Sequence, residues 1–323
     1  MPLDPDLEGF LELAQMGRLT GKSQPMHVLS VEQARREFEQ TSAILDPSPP
    51  GSVEVTALTV TARDGHALPA RLYRAPGTAP LPVIVYFHGG GYVVGSLDSH
   101  DSICRRLAAS GQYAVFAPSY RLAPEAIFPA AVNDSLDAAN WLAEHAGNLQ
   151  LDHDQMILAG DSVGATLATV LAITAVKAPQ TLAFKPRAQL LFYPVTDTSR
   201  QRDSHRHYAE DYLLETATLD WFYHHYCPQP QQRLDWRVSP LLADGLTALA
   251  PAYISLAEYD PLLDEGQAYA QRLAASGTAV NLRVESGLTH DFLRMNGISG
   301  AIAGIYEGVL RWLEEQRQSA AFG

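Results

Sequence analysis

The sequence predicts an α/β fold: a mostly parallel sheet covered by helices on both faces, with a helical cap. Three observations predict it. Beyond residue 75, short apolar runs alternate with helical patterns, the order expected of parallel strands joined by crossover helices. The run Met156-Ile157-Leu158-Ala159 passes through Gly160-Asp161-Ser162-Val163-Gly164 into a long Ala/Leu/Val/Thr segment, so a strand turns sharply into a helix at Ser162. The run Pro82-Val83-Ile84-Val85-Tyr86-Phe87 ends in His88-Gly89-Gly90-Gly91, a buried strand opening onto bare backbone.

Residues 1–50 lie outside the strand pattern and are expected to form cap helices. Asp4-Pro5 opens a helix carrying Leu7, Phe10, Leu11 and Met16 near helical spacing. Ser30-Val31-Glu32-Gln33 matches a capping box for a second helix, with Ala34, Phe38 and Leu45 on it. Pro47-Ser48-Pro49-Pro50-Gly51 reads as a linker. Two strands, Val53 to Ala62 and Leu68 to Ala75, are joined by Asp64-Gly65, a hairpin signal. The catalytic core is expected over 51–198 and 237–323, interrupted by a cap insertion at 199–236.

The two glycine-rich turns carry the chemistry. A strand-to-helix elbow holds Ser162 in a strained conformation with its hydroxyl exposed, and needs small neighbours, here Gly160 and Gly164. The Val163 N–H falls at the helix N-terminus, where it can bind a developing oxyanion. The three glycines after Phe87 leave further N–H groups uncovered for the same purpose. His88 precedes the nucleophile and is expected to brace this loop rather than act as base.

Chain order directs the search for Ser162's partners: nucleophile, then carboxylate, then histidine. Three more runs read as strands: Ala188 to Tyr193, leading toward Asp197; Ala252 to Ala257, leading to Asp260; and Val280 to Glu285, followed by Gly287-Leu288-Thr289-His290. His290 is therefore the expected base. Asp260, one strand earlier, is the favoured carboxylate; Asp197 is the runner-up, and Asp260 also reads as a turn former before Pro261. The substrate-binding surface is expected from His88, Gly89, Tyr92, Asp161, Leu214 and Phe222. The stretch 199–236 is rich in Tyr, His and Trp, and its aromatics either line a pocket or simply pack the cap. His205, His207, His224 and His225 cluster without metal-ligand spacing and read as solvated or hydrogen-bonded histidines.

With these residues in place, the chain resembles the hormone-sensitive lipase-like (bacterial family IV) esterases of the α/β-hydrolase superfamily. The matching segments are His88-Gly89-Gly90-Gly91, Tyr120-Arg121-Leu122-Ala123-Pro124-Glu125, Gly160 to Gly164, Asp260-Pro261-Leu262-Leu263-Asp264-Glu265-Gly266 and His290-Asp291-Phe292. They occur in family order and span most of the chain beyond residue 50. The resemblance implies an eight-stranded α/β-hydrolase fold, Ser162 as nucleophile, Asp260 as acid, His290 as base, and oxyanion donors at Gly90, Gly91 and Val163. It implies hydrolysis of short- to medium-chain acyl esters with no cofactor and no metal. A catalytically retired ligand receptor on the same fold, or an amide, lactone or carbamate hydrolase, is the alternative. Val163, Ala165, Leu263 and Asp291 depart from the family pattern; Asp291 places a second negative charge near His290. Family members often pair through a sheet edge, so a homodimer is a further expectation.

Composition agrees. The chain has 323 residues and 46% hydrophobic content, enough for a large core. Its formal net charge of -13, with no offsetting basic patch, argues against nucleic acid or an anionic membrane surface as partner. Cys104 and Cys227 make no disulfide framework. The N-terminus lacks a basic region followed by an apolar core, so no secretory signal and a cytoplasmic location are expected. Ala165 to Val176 is too short to span a bilayer.

Overall fold

The computed structural model describes residues 2–77 and 80–321. Helix α1 (Pro5–Leu19) starts where the Asp4 carboxylate accepts the N–H groups of Asp6 and Leu7. Helix α2 (Val31–Leu45) begins with the reciprocal Ser30–Gln33 capping box and buries Ala34, Phe38 and Leu45. On α1 the expected apolar face is only partly used: Leu7 is buried, whereas Met16 is exposed.

The strands are β1 (Glu54–Thr61), β2 (Ala67–Arg74), β3 (Leu81–Phe87), β4 (Ala114–Pro118), β5 (Leu151–Asp161), β6 (Ala188–Phe192), β7 (Ala252–Tyr259) and β8 (Val280–Thr289). They form one sheet in the order β1-β2-β4-β3-β5-β6-β7-β8. β1 pairs with β2, and β2 with β4, antiparallel; all other pairs are parallel. Gly65, at φ +85, turns the first hairpin. β8 runs four residues past the expected Glu285, because its pairing with β7 resumes at Tyr259–Thr289 after an irregularity. β4 is a strand that no motif singles out.

The remaining helices are α3 (Asp101–Ala108), α4 (Ala130–His145), α5 (Val163–Lys177), α6 (Asp203–His207), α7 (Thr216–Tyr226), α8 (Leu263–Ala275) and α9 (Ala301–Ala321). Alternation along the central strands sorts the core into two layers. Val83, Val85 and Phe87 of β3 pack with apolar residues of α4, α5 and α8. Ile84 and Tyr86 of the same strand pack with α3 and α9 on the other face. Burial on both faces explains why the central strands read as continuous apolar runs. Cys104 and Cys227 are free and buried. Among the described residues, no helix is long and apolar enough to cross a membrane.

Parallel strands put their C-terminal ends on one edge, and the turns that leave that edge carry Gly89–Gly91, Ser162, Asp260 and His290. Above it, α1 and the turn Met26–Val28 meet the 199–236 segment. Arg18 of α1 is ion-paired with Glu215 at the start of α7, and His27 Nδ1 lies 3.4 Å from Thr218 Oγ1.

Candidate active site

Ser162 sits between β5 and α5 at φ 52, ψ -121, a conformation L-residues rarely adopt. The sequence tolerates it because Gly160 and Gly164, two residues to either side, have no side chains. A Cβ on Gly164 would collide with the backbone oxygen of Phe87, and one on Gly160 with the backbone of Gly164. The elbow therefore presses against the end of β3, which brings Ser162 beside the glycine loop.

His290 follows β8, and Asp260 follows the adjacent β7. His290 Nε2 is 3.0 Å from Ser162 Oγ, and Nδ1 is 2.7 Å from Asp260 Oδ2. The other carboxylate oxygen of Asp260 accepts the Leu262 N–H at 2.8 Å, so the same group also shapes the turn into α8. Asp260 and His290 are 1% and 4% exposed. Burial works against a charged imidazole, but Asp260, and more weakly Asp291 and Asp161, outweigh it and hold the His290 pKa above its usual value. Asp197 is buried elsewhere. It accepts from Ser199 and from Arg202 at 2.8 Å, which is why it does not meet His290.

Gly90 and Gly91, which line one cavity with Ser162, have φ +109 and +60. Among the described residues no group accepts a hydrogen bond from either N–H, and Val163 N–H, in the first turn of α5, has no intrahelical acceptor. The loop is braced from behind. Asp161 Oδ1 accepts from Gly89 N–H at 3.0 Å and from the Tyr86 hydroxyl at 2.7 Å, while its other oxygen lies 3.3 Å from His100 Nε2. Burial opposes the Asp161 charge, but His100 and Tyr86 more than compensate and keep its pKa below the usual carboxylate value. His88 Nδ1 lies 2.7 Å from the Gly89 carbonyl, and its ring stacks on Tyr120 at 4.4 Å. Burial, helped by His100, pushes the His88 pKa down to about 4, so the ring is neutral and Nδ1–H can donate to that carbonyl.

A cavity of about 450 Å³ opens over Ser162 and His290. Gly90, Gly91, Val163, Leu214 and Phe222 line it, as do Leu213, Tyr223 and, from the N-terminal helices, Phe10, Met26, Leu29 and Phe38. Four residues expected on the substrate surface are not among its lining: His88, Gly89, Tyr92 and Asp161. His88, Gly89 and Asp161 are committed to the loop contacts just described. Tyr92, at φ 64, turns away and stacks on Tyr226 at 3.7 Å, so it ties the glycine loop to α7. Tyr208 and Tyr212 of the 199–236 segment pack on each other and on Tyr259 at the end of β7.

Of the histidine cluster, His205 is buried with Nε2 3.6 Å from Glu265 Oε2, and His224 and His225 lie edge-on to each other. Among the described residues, no three His, Cys, Asp or Glu side chains converge as metal ligands would. Sequence reasoning missed Arg294, which lines the cavity and is bonded to Asp291, and the role of His100 behind the loop. Neither lies in a segment whose spacing signals chemistry.

A profile of the family described as alpha/beta hydrolase fold matches residues 84–294. An ethyl acetate hydrolase of Pseudomonas putida is 47% identical over 98% of this chain and 99% of that protein. The carboxylic ester hydrolase LipN of Mycobacterium tuberculosis is 36% identical over 93% of this chain and 80% of that protein. The solved structure of a hyperthermophilic esterase from the archaeon Pyrobaculum calidifontis superposes with a TM-score of 0.89 at 36% identity, over 98% of this chain and 99% of that one. With its elbow, glycine loop and buried His–Asp pair in this arrangement, the chain belongs to the hormone-sensitive lipase-like esterases of the α/β-hydrolase superfamily.

Proposed function

We propose that this serine carboxylesterase hydrolyses short- to medium-chain acyl esters through a covalent acyl intermediate on Ser162. The observation that carries the reading is the continuous line Asp260–His290–Ser162, with contacts of 2.7 and 3.0 Å, beside the amides of Gly90 and Gly91, which have no acceptor among the described residues. A serine hydroxyl is a weak nucleophile at neutral pH, so His290 Nε2 takes its proton as Oγ attacks the ester carbon. Asp260 fixes the tautomer that leaves Nε2 free and stabilises the imidazolium. The oxyanion develops between the N–H groups of Gly90, Gly91 and Val163; each such donor is typically worth about 3–4 kcal/mol in the transition state. His290 returns the proton to the departing alcohol, and water then releases the acid by the reverse sequence.

The chain-length proposal draws on two supports. The Pseudomonas putida relative is named for the ester of a short acid and a short alcohol. The cavity is of ordinary small-molecule size and is walled mainly by apolar side chains. The 199–236 insertion and residues 1–50 act together as the cap that supplies most of that wall. A retired receptor is disfavoured because it would have no use for a histidine held within hydrogen-bond reach of the serine.

Rates with p-nitrophenyl esters from acetate to laurate test the substrate range, with anilides, lactones and carbamates as counter-substrates. An optimum at laurate or longer overturns the chain-length claim, and preference for an anilide overturns the ester claim. Mass-spectrometric mapping of a fluorophosphonate adduct checks the nucleophile. The label belongs on Ser162 and is absent from Ser162→Ala.

A further inference from the structure

We propose that Asp291 orients the water that hydrolyses the acyl-enzyme, acting beside His290 rather than through it. The proposal rests on Ser162 and His290 acting as described above. Asp291 follows His290 and takes the left-handed conformation, φ 66, ψ 12, which carries its carboxylate back over the imidazole edge. Asp291 Oδ1 is 4.0 Å from His290 Nε2, the nitrogen that faces Ser162, and the side chain lines the catalytic cavity. The other oxygen, Oδ2, accepts from Arg294 at 3.0 Å. Arg294 is itself buried, donates to Ser42 Oγ at 2.5 Å, and lies 4.0 Å over the Phe38 ring. The carboxylate is thus held from behind, with one oxygen turned to the reacting edge of the histidine.

Two acceptors 4.0 Å apart suit a single water molecule. An oxygen about 2.8 Å from each sees them at roughly a right angle, close to the spread of its two O–H bonds. One O–H then points at Nε2 and the other at Oδ1, which leaves an oxygen lone pair for the acyl carbon. As the C–O bond forms, the carbonyl electron pair moves to the oxyanion and Nε2 takes the first proton. On collapse the carbon–Oγ bond breaks and Oγ takes that proton back. Asp291 accepts a hydrogen bond throughout and gains no proton. In the acylation step the departing oxygen carries a carbon where water has its second hydrogen, so Asp291 has nothing to hold. The effect therefore falls on deacylation.

Rapid-quench turnover of p-nitrophenyl acetate, with the acetylated chain followed by intact mass, separates the two steps. Asp291→Gly and Asp291→Asn both accept the left-handed backbone. Gly removes the acceptor and Asn keeps a weaker, neutral one. Deacylation is expected to slow on the order of 10- to 100-fold in the Gly variant and less in the Asn variant, with acylation within about threefold of wild type. Acetyl-enzyme then accumulates in the variants. Equal loss in both steps, or an unchanged deacylation rate, overturns the proposal. Failure of wild type to take the fluorophosphonate label on Ser162 overturns the parent mechanism, and the proposal with it.

Discussion

The ring of Phe222 lies flat against Gly91, so close that a Cβ on Gly91 would fall among the ring carbons. Helix α7 and the glycine loop are therefore fitted to each other at a residue where a side chain is excluded twice, by the ring and by φ +60. Gly91→Ala should displace a donor N–H and lower kcat with p-nitrophenyl acetate on the order of 10²- to 10³-fold. If the ring causes the clash, adding Phe222→Ala recovers part of the loss. A double variant no better than Gly91→Ala would assign the whole effect to backbone strain.

Two buried aspartates follow neighbouring strands, yet only one reaches the histidine. Asp260→Asn should lower kcat by about 10³- to 10⁴-fold, because the amide can stabilise the wrong imidazole tautomer and no longer supports the imidazolium. Asp197→Asn should leave kcat within about threefold and instead lower thermal stability, since it breaks the Arg202 pair. Steady-state rates and melting curves of the two variants check this, and a reversal of the two effects would move the carboxylate role to Asp197.

The parts legible in the sequence are those whose constraint is local. The elbow and the glycine loop declare themselves because a strained turn and a bare amide each demand particular residues at adjacent positions. The histidine and Asp260 follow from strand order. What stayed hidden depends on long-range placement. Asp161 is expected on the substrate surface, but alternation along β5 sends its side chain under the loop to Gly89, 72 residues away in sequence. Tyr92 adjoins the glycines and still turns away, since its positive φ reverses the expected direction. The periodicity of α2 places Phe38 on its buried face; that it also walls the cavity and lies under Arg294 depends on where α2 docks.

The charges around His290 set a pH limb. Its pKa is raised, so the imidazole protonates while the solution is still near neutral and the base form is lost earlier on acidification. The midpoint of the acid limb of kcat/KM should lie above the ordinary histidine value of about 6.5. Asp291 contributes to the upward shift, so Asp291→Asn should move that limb to lower pH. His88, with its pKa near 4, remains neutral across this range and adds no second step. A limb centred below 6 in wild type, or one that moves upward in Asp291→Asn, would contradict this arrangement of charge.

Glu265 of α8 makes stability itself depend on pH. One carboxylate oxygen accepts from the Thr196 and Asp197 N–H groups at 2.6 and 3.1 Å, while the other has no hydrogen-bond partner among the described residues and lies 3.6 Å from His205 Nε2. Complete burial is the dominant influence and pushes the pKa from 4.5 up to about 8, despite the two amides that favour the anion. Between those values the folded chain keeps a proton that the unfolded chain has released. Stability should therefore fall as pH rises from about 4.5 to about 8, and this contribution levels off above that. Glu265→Gln keeps an acceptor for the two amides but removes the titration. Its unfolding free energy, measured in urea at a series of pH values, should lack this component of the slope. At pH 8 it should exceed wild type by several kcal/mol. Parallel stability curves for the two proteins across that window would mean that Glu265 ionises in the fold as readily as in the unfolded chain.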